Sequence, residues 1–215
     1  MNSNIAIIGV GNIGSRLAKR FTEHGISVTL AATDLASAQE VAAKLGEKAQ
    51  AATVDEGISG ADIVIGAIPF GPLLEFAKEN REKLAGKIFA DPSNNFRRDE
   101  SGNASNANPD GLSAGMQVQE ALGADVRYVK AFGTMAAFEL ERTEADSGGK
   151  NVSPYATDDV EAGEQIGALI REAGWDTVRI GGVADTARIE VLGDLHPFGG
   201  LQSRLLTLDE FTKLI

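Results

Sequence analysis

The first 90 residues alternate between short, continuously apolar runs and segments in which apolar residues recur every three or four positions. The continuous runs predict strands covered on both faces, and the spaced segments predict the amphipathic helices that cover them. Short breaks between these segments favour right-handed crossovers in a parallel sheet. The predicted strands are Ile5–Ile8, Ile26–Ala31, Ala49–Val54, Ile63–Ile68 and Lys87–Ala90, and the predicted helices are Asn12–His24, Leu35–Leu45 and Leu73–Leu84.

This alternation is interrupted twice further along the chain. The segment Asp91–Ala114 is rich in Asn and Gly and predicts a long loop, which in a compact domain is usually functional or mobile. A second irregular stretch runs from Gly133 to Lys150. The other predicted elements are a helix over Gly115–Leu122, strands at Val126–Lys130, Val152–Ala156 and Thr177–Ile180, a helix from the Thr157–Asp159 cap to Ala173, and two helices after Gly182.

The turn after the first predicted strand carries the motif G-x-G-x-x-G, formed by Gly9, Gly11 and Gly14 with Asn12 and Ile13 between them. It follows an apolar strand and opens an amphipathic helix, which is the context that dinucleotide binding requires. The first glycine permits the tight turn, the second lets the backbone approach a pyrophosphate, and the third lets helix and strand pack closely. The helix N-terminus supplies the anion site. The alternative is a glycine turn without a ligand.

These patterns together predict an α/β fold, a doubly wound and mostly parallel Rossmann sheet with a short C-terminal helical extension. We expect one NAD(P)-binding domain over residues 1–215, with the extension at about residues 182–215. The extension and the apolar tail Leu205–Ile215 suggest a homodimer.

The end of the second predicted strand bears on which dinucleotide is bound. Asp34 lies 20 positions after Gly14, where an acid would hold the ribose hydroxyls of NAD, but it also stands where the next helix needs an N-cap. Both interpretations remain open. Ala32 leaves room for the 2′-phosphate of NADP and Thr33 offers a hydroxyl, although no positive charge is local.

Composition excludes several classes of function. With 31 acidic and 20 basic residues the net charge is −11, which argues against a nucleic-acid surface. The absence of cysteine excludes disulfides, thiolate metal sites and a cysteine nucleophile, and two histidines leave little material for any metal centre. No run approaches the ~20 apolar residues of a membrane span, and the first residues lack a signal-peptide pattern. We therefore expect a cytoplasmic protein that does not bind membranes.

Two candidates for side-chain catalysis remain. The segment Gly111–Gly115 matches the nucleophile elbow G-x-S-x-G, and Asp194 and His196 follow in the order of a catalytic triad. A turn-like composition at Asn106–Asp110 replaces the strand that an elbow needs, which disfavours a hydrolase. His196 could protonate a carbonyl or a flavin nitrogen, but its place before proline predicts a helix-end or surface residue.

Three further segments belong with the glycine motif: Ala61–Pro69, Gly86–Asn94 and Val129–Met135. Together these segments resemble the F420-dependent NADP oxidoreductase family, and Val129–Met135 is similar to its "VKAFNT" signature. The likeness covers nearly the whole chain. The same fold occurs in the cytoplasmic reductase domains of the six-transmembrane metalloreductases, so a flavin reductase is a related possibility.

The resemblance implies that NADP, or NAD, lies over the glycine motif with its nicotinamide facing a pocket. A deazaflavin or flavin would stack there as a small-molecule hydride acceptor, and because the cofactors carry this chemistry no catalytic side chain is assigned. The chain departs from the family in three places: Ala31–Thr33 replaces Gly-Ser-Arg, Gly133 replaces the Asn of "VKAFNT", and Asn95 replaces a proline. The implied pocket walls are Ala67, Ile68, Pro69, Asn94, Phe132 and Gly133.

Two other functions share the glycine motif. A carbonyl or imine reductase of the hydroxyacid or pyrroline-carboxylate type would need a second helical domain, and only 35 residues follow Ile180. A non-enzymatic NAD(P)-sensing regulator would lack a dry nicotinamide pocket. The apolar residues Ile68, Phe132 and Met135 favour the enzyme.

Overall fold

The computed structural model describes residues 3–141 and 149–215, and its centre is a six-stranded parallel sheet. Residues 142–148 of the second irregular stretch, and residues 1–2, lie outside the described part. The strands are β1 Ile5–Ile8, β2 Val28–Ala31, β3 Ala49–Ala52, β4 Ile63–Gly66, β5 Ile88–Asp91, β6 Phe96–Arg98, β7 Ala104–Asn106 and β8 Arg127–Lys130. The sheet order is β3-β2-β1-β4-β5-β8, with β6 and β7 forming a separate hairpin.

Helices cover both faces of the sheet, as the continuously apolar strands predict. Alternate residues of β1 enter two different cores: Ile7 packs with Phe21 and Trp175 on one face, and Ile8 packs with Leu73 on the other. The doubly wound α/β architecture is therefore confirmed. The α-helices are α1 Asn12–Glu23, α2 Leu35–Leu45, α3 Val54–Gly60, α4 Phe70–Glu79, α5 Arg81–Leu84, α6 Ala114–Leu122, α7 Val160–Glu172 and α8 Leu208–Phe211, and 3-10 helices span Ala137–Glu141 and Val183–Ile189.

Several predicted boundaries are wrong. The strand predicted over Ile63–Ile68 ends at Gly66, because the chain turns there towards α4. The unpredicted α3 begins at Val54, where Thr53 and Glu56 form a capping box. The single helix predicted over Leu73–Leu84 is two helices that meet at Asn80.

The long loop predicted over Asp91–Ala114 contains the β6–β7 hairpin, in which Phe96 pairs with Asn106 and Arg98 with Ala104. Its Asn- and Gly-rich composition concealed two three-residue strands. The hairpin projects beyond the carboxyl end of β5, where ligands bind in open parallel sheets.

The C-terminal third departs further from prediction. The segments predicted as strands at Val152–Ala156 and Thr177–Ile180 form isolated bridges instead of ladders, among them Lys130 with Ala156. Two α-helices after Gly182 were expected. The described structure has a 3-10 helix and the one-turn α8, joined mainly by turns.

The apolar tail packs on its own chain. Leu206 and Phe211 are buried in a third core with Ile189 and Val152, while Leu214 and Ile215 are about half exposed. The homodimer stays a prediction. Within residues 3–141 and 149–215, no helix has the length and apolar character to span a membrane.

Candidate active site

The glycine turn between β1 and α1 is built as the motif predicts. Gly9 has φ +98°, and its N–H donates to the Ala31 carbonyl oxygen at 2.8 Å. A Cβ on Gly9 would lie 2.6 Å from the Ala67 carbonyl oxygen, and a Cβ on Gly14 would overlap the Gly9 carbonyl oxygen. By contrast, a Cβ on Gly11 would meet no atom within 4 Å. Gly9 and Gly14 therefore close the turn, and Gly11 presents bare backbone to open space.

The N-terminus of α1 is an anion cradle of the kind that a pyrophosphate needs. Gly11 is its N-cap residue and provides no side-chain cap. The Arg16 Nη1 donates to Asn12 Oδ1 at 2.6 Å, and the Arg16 Nε lies 3.4 Å from Glu141 Oε2. The helix dipole and the backbone amides thus provide positive potential locally in an acidic protein, and the Arg16 guanidinium, with Glu141 as its counter-ion, lies beside them. The residues present fit a dinucleotide.

The expected adenosine end lies at the carboxyl end of β2. Asp34 is the N-cap of α2: its carboxylate accepts from Ala36 N at 3.2 Å and from the Ser37 hydroxyl. These bonds, the Ser37 bond first, lower the pKa of Asp34. The capping role is confirmed, while the ribose contact stays a prediction. Ala32 is half-buried and Thr33 is exposed.

A cleft of about 550 Å³ opens at the carboxyl ends of the central strands, next to the glycine turn. This is the switch point at which doubly wound sheets bind ligands. The predicted residues that border it are Gly11, Asn12, Ile13, Ala67, Ile68, Pro69, Asn94, Phe132 and Gly133. The structure thus brings together nine of the fourteen predicted site residues. Gly9 and Gly14 are packed inside the turn and do not border the cleft, and neither does the Ala32–Asp34 segment.

Twelve residues that border the cleft were not assigned to the site from the sequence, and five of them come from three segments that the sequence did not link to it. The hairpin contributes Phe96 and Arg98, the 3-10 helix at Ala137–Glu141 contributes Phe138, and the C-terminal turns contribute Val191 and Phe198. The only available signal was an aromatic residue followed by two arginines inside an Asn-rich loop.

An amide-centred network ties three distant segments together at the cleft. The Gly133 carbonyl oxygen accepts from Asn94 Nδ2 at 2.9 Å and lies 3.3 Å from His196 Nε2. Asn94 Oδ1 accepts from the Val191 backbone N–H at 2.8 Å. Asn94 therefore holds the chain after β5, the chain after β8 and the C-terminal turns in one arrangement.

The surface location predicted for His196 is wrong, because the side chain is 2% exposed and borders the cleft. Burial lowers its pKa to about 4, the charge of Lys130 acts in the same direction, and the bond to Gly133 opposes them. The Phe198 N–H donates to His196 Nδ1 at 2.9 Å, so the bond to Gly133 requires a proton on Nε2. His196 is therefore a neutral imidazole near pH 7 and not a proton donor of the imidazolium type.

The depressed pKa of His196 predicts that stability falls with acid. Between pH 6.5 and 4 the unfolded chain protonates this ring and the folded chain does not, so the free energy of unfolding decreases as pH falls. The loss of stability is negligible above pH 6.5 and reaches about 3 kcal/mol at pH 4. Urea unfolding across this range should show the loss in the wild type and a weaker one in His196→Gln, which shares every other titrating group. Parallel pH profiles for the two proteins would contradict the assignment.

The serine elbow does not form a triad. Ser113 is the N-cap of α6: its Oγ accepts from Met116 N at 3.0 Å and lies 2.7 Å from the Thr186 hydroxyl. Asp194 pairs with Arg188 at 2.9 Å instead of with His196. The hydrolase interpretation, which the sequence disfavoured, has no supporting geometry among these residues.

Phe132 borders the cleft mainly through its backbone, because its ring is buried in the core. Its ring is 1% exposed and packs edge-on against Phe21 at 5.8 Å between centroids and against Trp175 at 6.4 Å. With φ +64°, Phe132 adopts the left-handed conformation, which non-glycine residues rarely adopt. Packing of the ring in the core therefore stabilises an unusual turn that directs the following carbonyl to Asn94 and His196.

Gly133, which departs from the family pattern, is closely packed. A Cβ at this position would lie 3.0 Å from the Pro92 carbonyl oxygen and 3.4 Å from Asn94 Nδ2. An asparagine here would crowd the amide of Asn94. In this chain, the Asn94 Nδ2 instead donates to the Gly133 carbonyl oxygen at 2.9 Å.

A buried ionic cluster lies beside the cleft. Lys130, 1% exposed, places its Nζ 2.9 Å from Asp91 Oδ2 and 3.9 Å from Glu190 Oε1, and donates to the Ser93 carbonyl oxygen. The Tyr128 hydroxyl also donates to Asp91 Oδ2, at 2.7 Å. Burial, with the Asp91 charge next, raises the pKa of Tyr128, so this hydroxyl stays protonated. The cluster fastens the ends of β5 and β8 to the C-terminal turns.

Comparison with known proteins agrees with this geometry. Residues 4–95 match the family model of the coenzyme F420-dependent NADP oxidoreductases. A hypothetical protein from Sinorhizobium meliloti superimposes with a TM-score of 0.82 at 26% identity, covering 95% of each chain. No curated protein matches in sequence.

Two further structures share the fold at lower identity. A proposed F420-dependent NADP reductase from Arthrobacter sp. FB24 has a TM-score of 0.75 and 20% identity, covering 86% of this chain and 87% of that one. Pyrroline-5-carboxylate reductase from Coxiella burnetii has a TM-score of 0.62 and 15% identity, covering 90% and 65%. The family match confirms, over residues 4–95, the resemblance to the F420-dependent NADP oxidoreductases, and with the parallel sheet it agrees with the prediction of an NAD(P)-dependent oxidoreductase of the Rossmann type.

Proposed function

We propose that the protein transfers a hydride between NADP(H) and a flavin or deazaflavin that stacks in the cleft. The observation that carries the proposal is the cleft itself, which joins the anion cradle at Gly11 to a mainly apolar chamber. Its size lies within the range of small-molecule sites. When bound, NADPH supplies two electrons and one proton as hydride from C4 of the nicotinamide to N5 of a flavin or C5 of a deazaflavin.

The side chains of the chamber orient rings and exclude water. Ile68, Phe96 and Met135 present apolar surface, and the backbone at Gly133 is fixed by Asn94. Transfer between two stacked rings depends mainly on alignment and on a dry environment, which such walls provide.

Among the described residues that border the cleft there is no carboxylic acid, which favours a ring acceptor over a carbonyl or imine. Reduction of a carbonyl leaves an alkoxide that needs a proton at once, whereas a reduced flavin is stable as an anion or takes its proton from water. His196 is neutral and its Nε2–H is directed to Gly133. The imidazole is therefore poorly suited to protonate an alkoxide.

An acceptor panel tests the proposal. With NADPH in excess, anaerobic mixing with FMN, riboflavin, a deazaflavin and small imines or ketones should give NADPH oxidation with the ring acceptors. Turnover confined to imines or ketones would overturn the proposal. Tight NADPH binding with no turnover on any acceptor would favour the sensing function.

We further propose NADP(H) over NAD(H), with the 2′-phosphate near Thr33. The acid that could hold an NAD ribose, Asp34, already caps α2, and no other acid stands at the end of β2. Thr33→Arg is then expected to raise NADPH affinity about fivefold, as an exposed ion pair would, and to leave NADH affinity unchanged. Isothermal titration measures both, with Thr33→Gln as the neutral control. Equal gains for both nucleotides would place the adenosine end elsewhere.

A further inference from the structure

The cleft contains a single ionised side chain among the described residues, and it is cationic. Of the 21 residues that border the cleft, Arg98 alone carries a charge near pH 7, because His196 has a pKa of about 4 and no Asp or Glu is present. This contrasts with a chain whose net charge is −11. A guanidinium at the edge of an apolar chamber without carboxylates attracts anions specifically.

The guanidinium is held in place but keeps free donors. Its carbon lies 5.3 Å from the centre of the Phe96 ring, and its Nη1 donates to the Gly102 carbonyl oxygen at 2.9 Å. Both contacts come from the same hairpin, so the hairpin positions the charge. An arginine has five N–H donors, and one is used here.

No carboxylate among the described residues lies within salt-bridge distance of Arg98. The nearest acid in sequence, Asp99, accepts from the backbone and side-chain nitrogens of Asn103 at 2.8 and 3.0 Å. The pairing capacity of Arg98 is therefore left for a ligand. Guanidinium groups bind phosphates and carboxylates through two parallel hydrogen bonds.

We propose that Arg98 binds an anionic substituent of the hydride acceptor and so determines which ring acceptors bind in the cleft. The inference rests on the proposed function. The ring would occupy the chamber beside Phe96, and the tail would leave it over the hairpin. Arg98 is thus a specificity-determining residue and not a catalytic one.

FMN and riboflavin provide a matched pair of ligands, because they share one ring system and differ in a phosphate. Their dissociation constants are measured by fluorescence quenching on the protein saturated with NADP⁺, which reports binding without turnover. We expect FMN to bind about fivefold more tightly than riboflavin, and added salt to reduce this preference. Arg98→Gln should remove the preference and leave riboflavin binding unchanged.

Arg97 is the matched control, because it lies on the same hairpin, is exposed, and does not border the cleft. Arg97→Gln should retain most of the preference for FMN. Equal affinities for FMN and riboflavin, loss of preference in both variants, or no binding of either flavin would overturn the inference. A lower affinity for NADP⁺ in Arg98→Gln would assign the side chain to the dinucleotide and would also overturn it. An Arg98-dependent preference without reduction of either a flavin or a deazaflavin would support the anion site and refute the proposed hydride transfer.

Discussion

Gly11→Val is expected to weaken NADPH binding by about a hundredfold while the protein remains folded. Apart from its chain neighbours and its own helix, no described residue has an atom within 4 Å of a Cβ at this position, so the side chain enters the space from which the backbone approaches the pyrophosphate. A hundredfold loss corresponds to about 2.7 kcal/mol. Isothermal titration gives the affinity, and urea unfolding should show a loss of about 1 kcal/mol at most, the cost of changing an N-cap residue.

Two other glycine variants separate binding from folding. Gly60 lies in equally open space at the end of α3, away from the cleft. Gly60→Val should therefore leave NADPH affinity unchanged. Gly14→Val should unfold the turn, because its Cβ overlaps the Gly9 carbonyl oxygen. Unchanged NADPH affinity in Gly11→Val would contradict the placement of the dinucleotide.

Lys130→Met is expected to lower the free energy of unfolding by about 3–5 kcal/mol. The substitution leaves Asp91 and Glu190, both nearly inaccessible to solvent, without the cation that lies between them. An isolated buried charge is far more costly than a surface one. Thermal and urea unfolding at neutral pH measure the effect, with NADPH affinity as a second readout because the cluster lies beside the cleft.

The surface pair of Lys44 and Glu40 provides the control, with an Nζ to Oε1 distance of 2.7 Å and side chains that are 69% and 71% exposed. Lys44→Met should cost less than about 1 kcal/mol. Adding Asp91→Asn to Lys130→Met should recover part of the loss, because it removes one of the uncompensated charges. A loss below about 1 kcal/mol in Lys130→Met would contradict the conclusion that the ionic cluster holds the ends of β5 and β8 against the C-terminal turns.

The first half of the fold could be predicted because its signals are local. Continuous apolar runs define β1, β4 and β5, and the glycine motif that forms the turn lies within six consecutive residues. The caps of α2 and α7 were visible as Asp34 and Asp159. Each of these features is fixed by neighbours in the chain, which periodicity and capping rules describe well.

The other features depend on partners far away in sequence. Val152–Ala156 has strand composition, but its partners are residues of β8 and of the chain near Asp176, with which it forms isolated bridges. His196 is buried through a bond to Gly133, 63 residues earlier. Composition reports the propensity of a segment and not the surface on which it packs. The sequence therefore could not show that the β6–β7 hairpin and the C-terminal turns border the cleft.

Transfer of deuterium tests the central claim most directly. The protein is mixed with NADPH that carries deuterium at C4, in separate 4R and 4S preparations, and with 5-deaza-FMN, whose C5 keeps the transferred label. Mass spectrometry of the reduced deazaflavin should show one deuterium from one of the two preparations, because the cleft walls fix which face of the nicotinamide meets the acceptor. NADPH that binds but leaves no deuterium in the deazaflavin would contradict hydride transfer to a ring acceptor in this cleft.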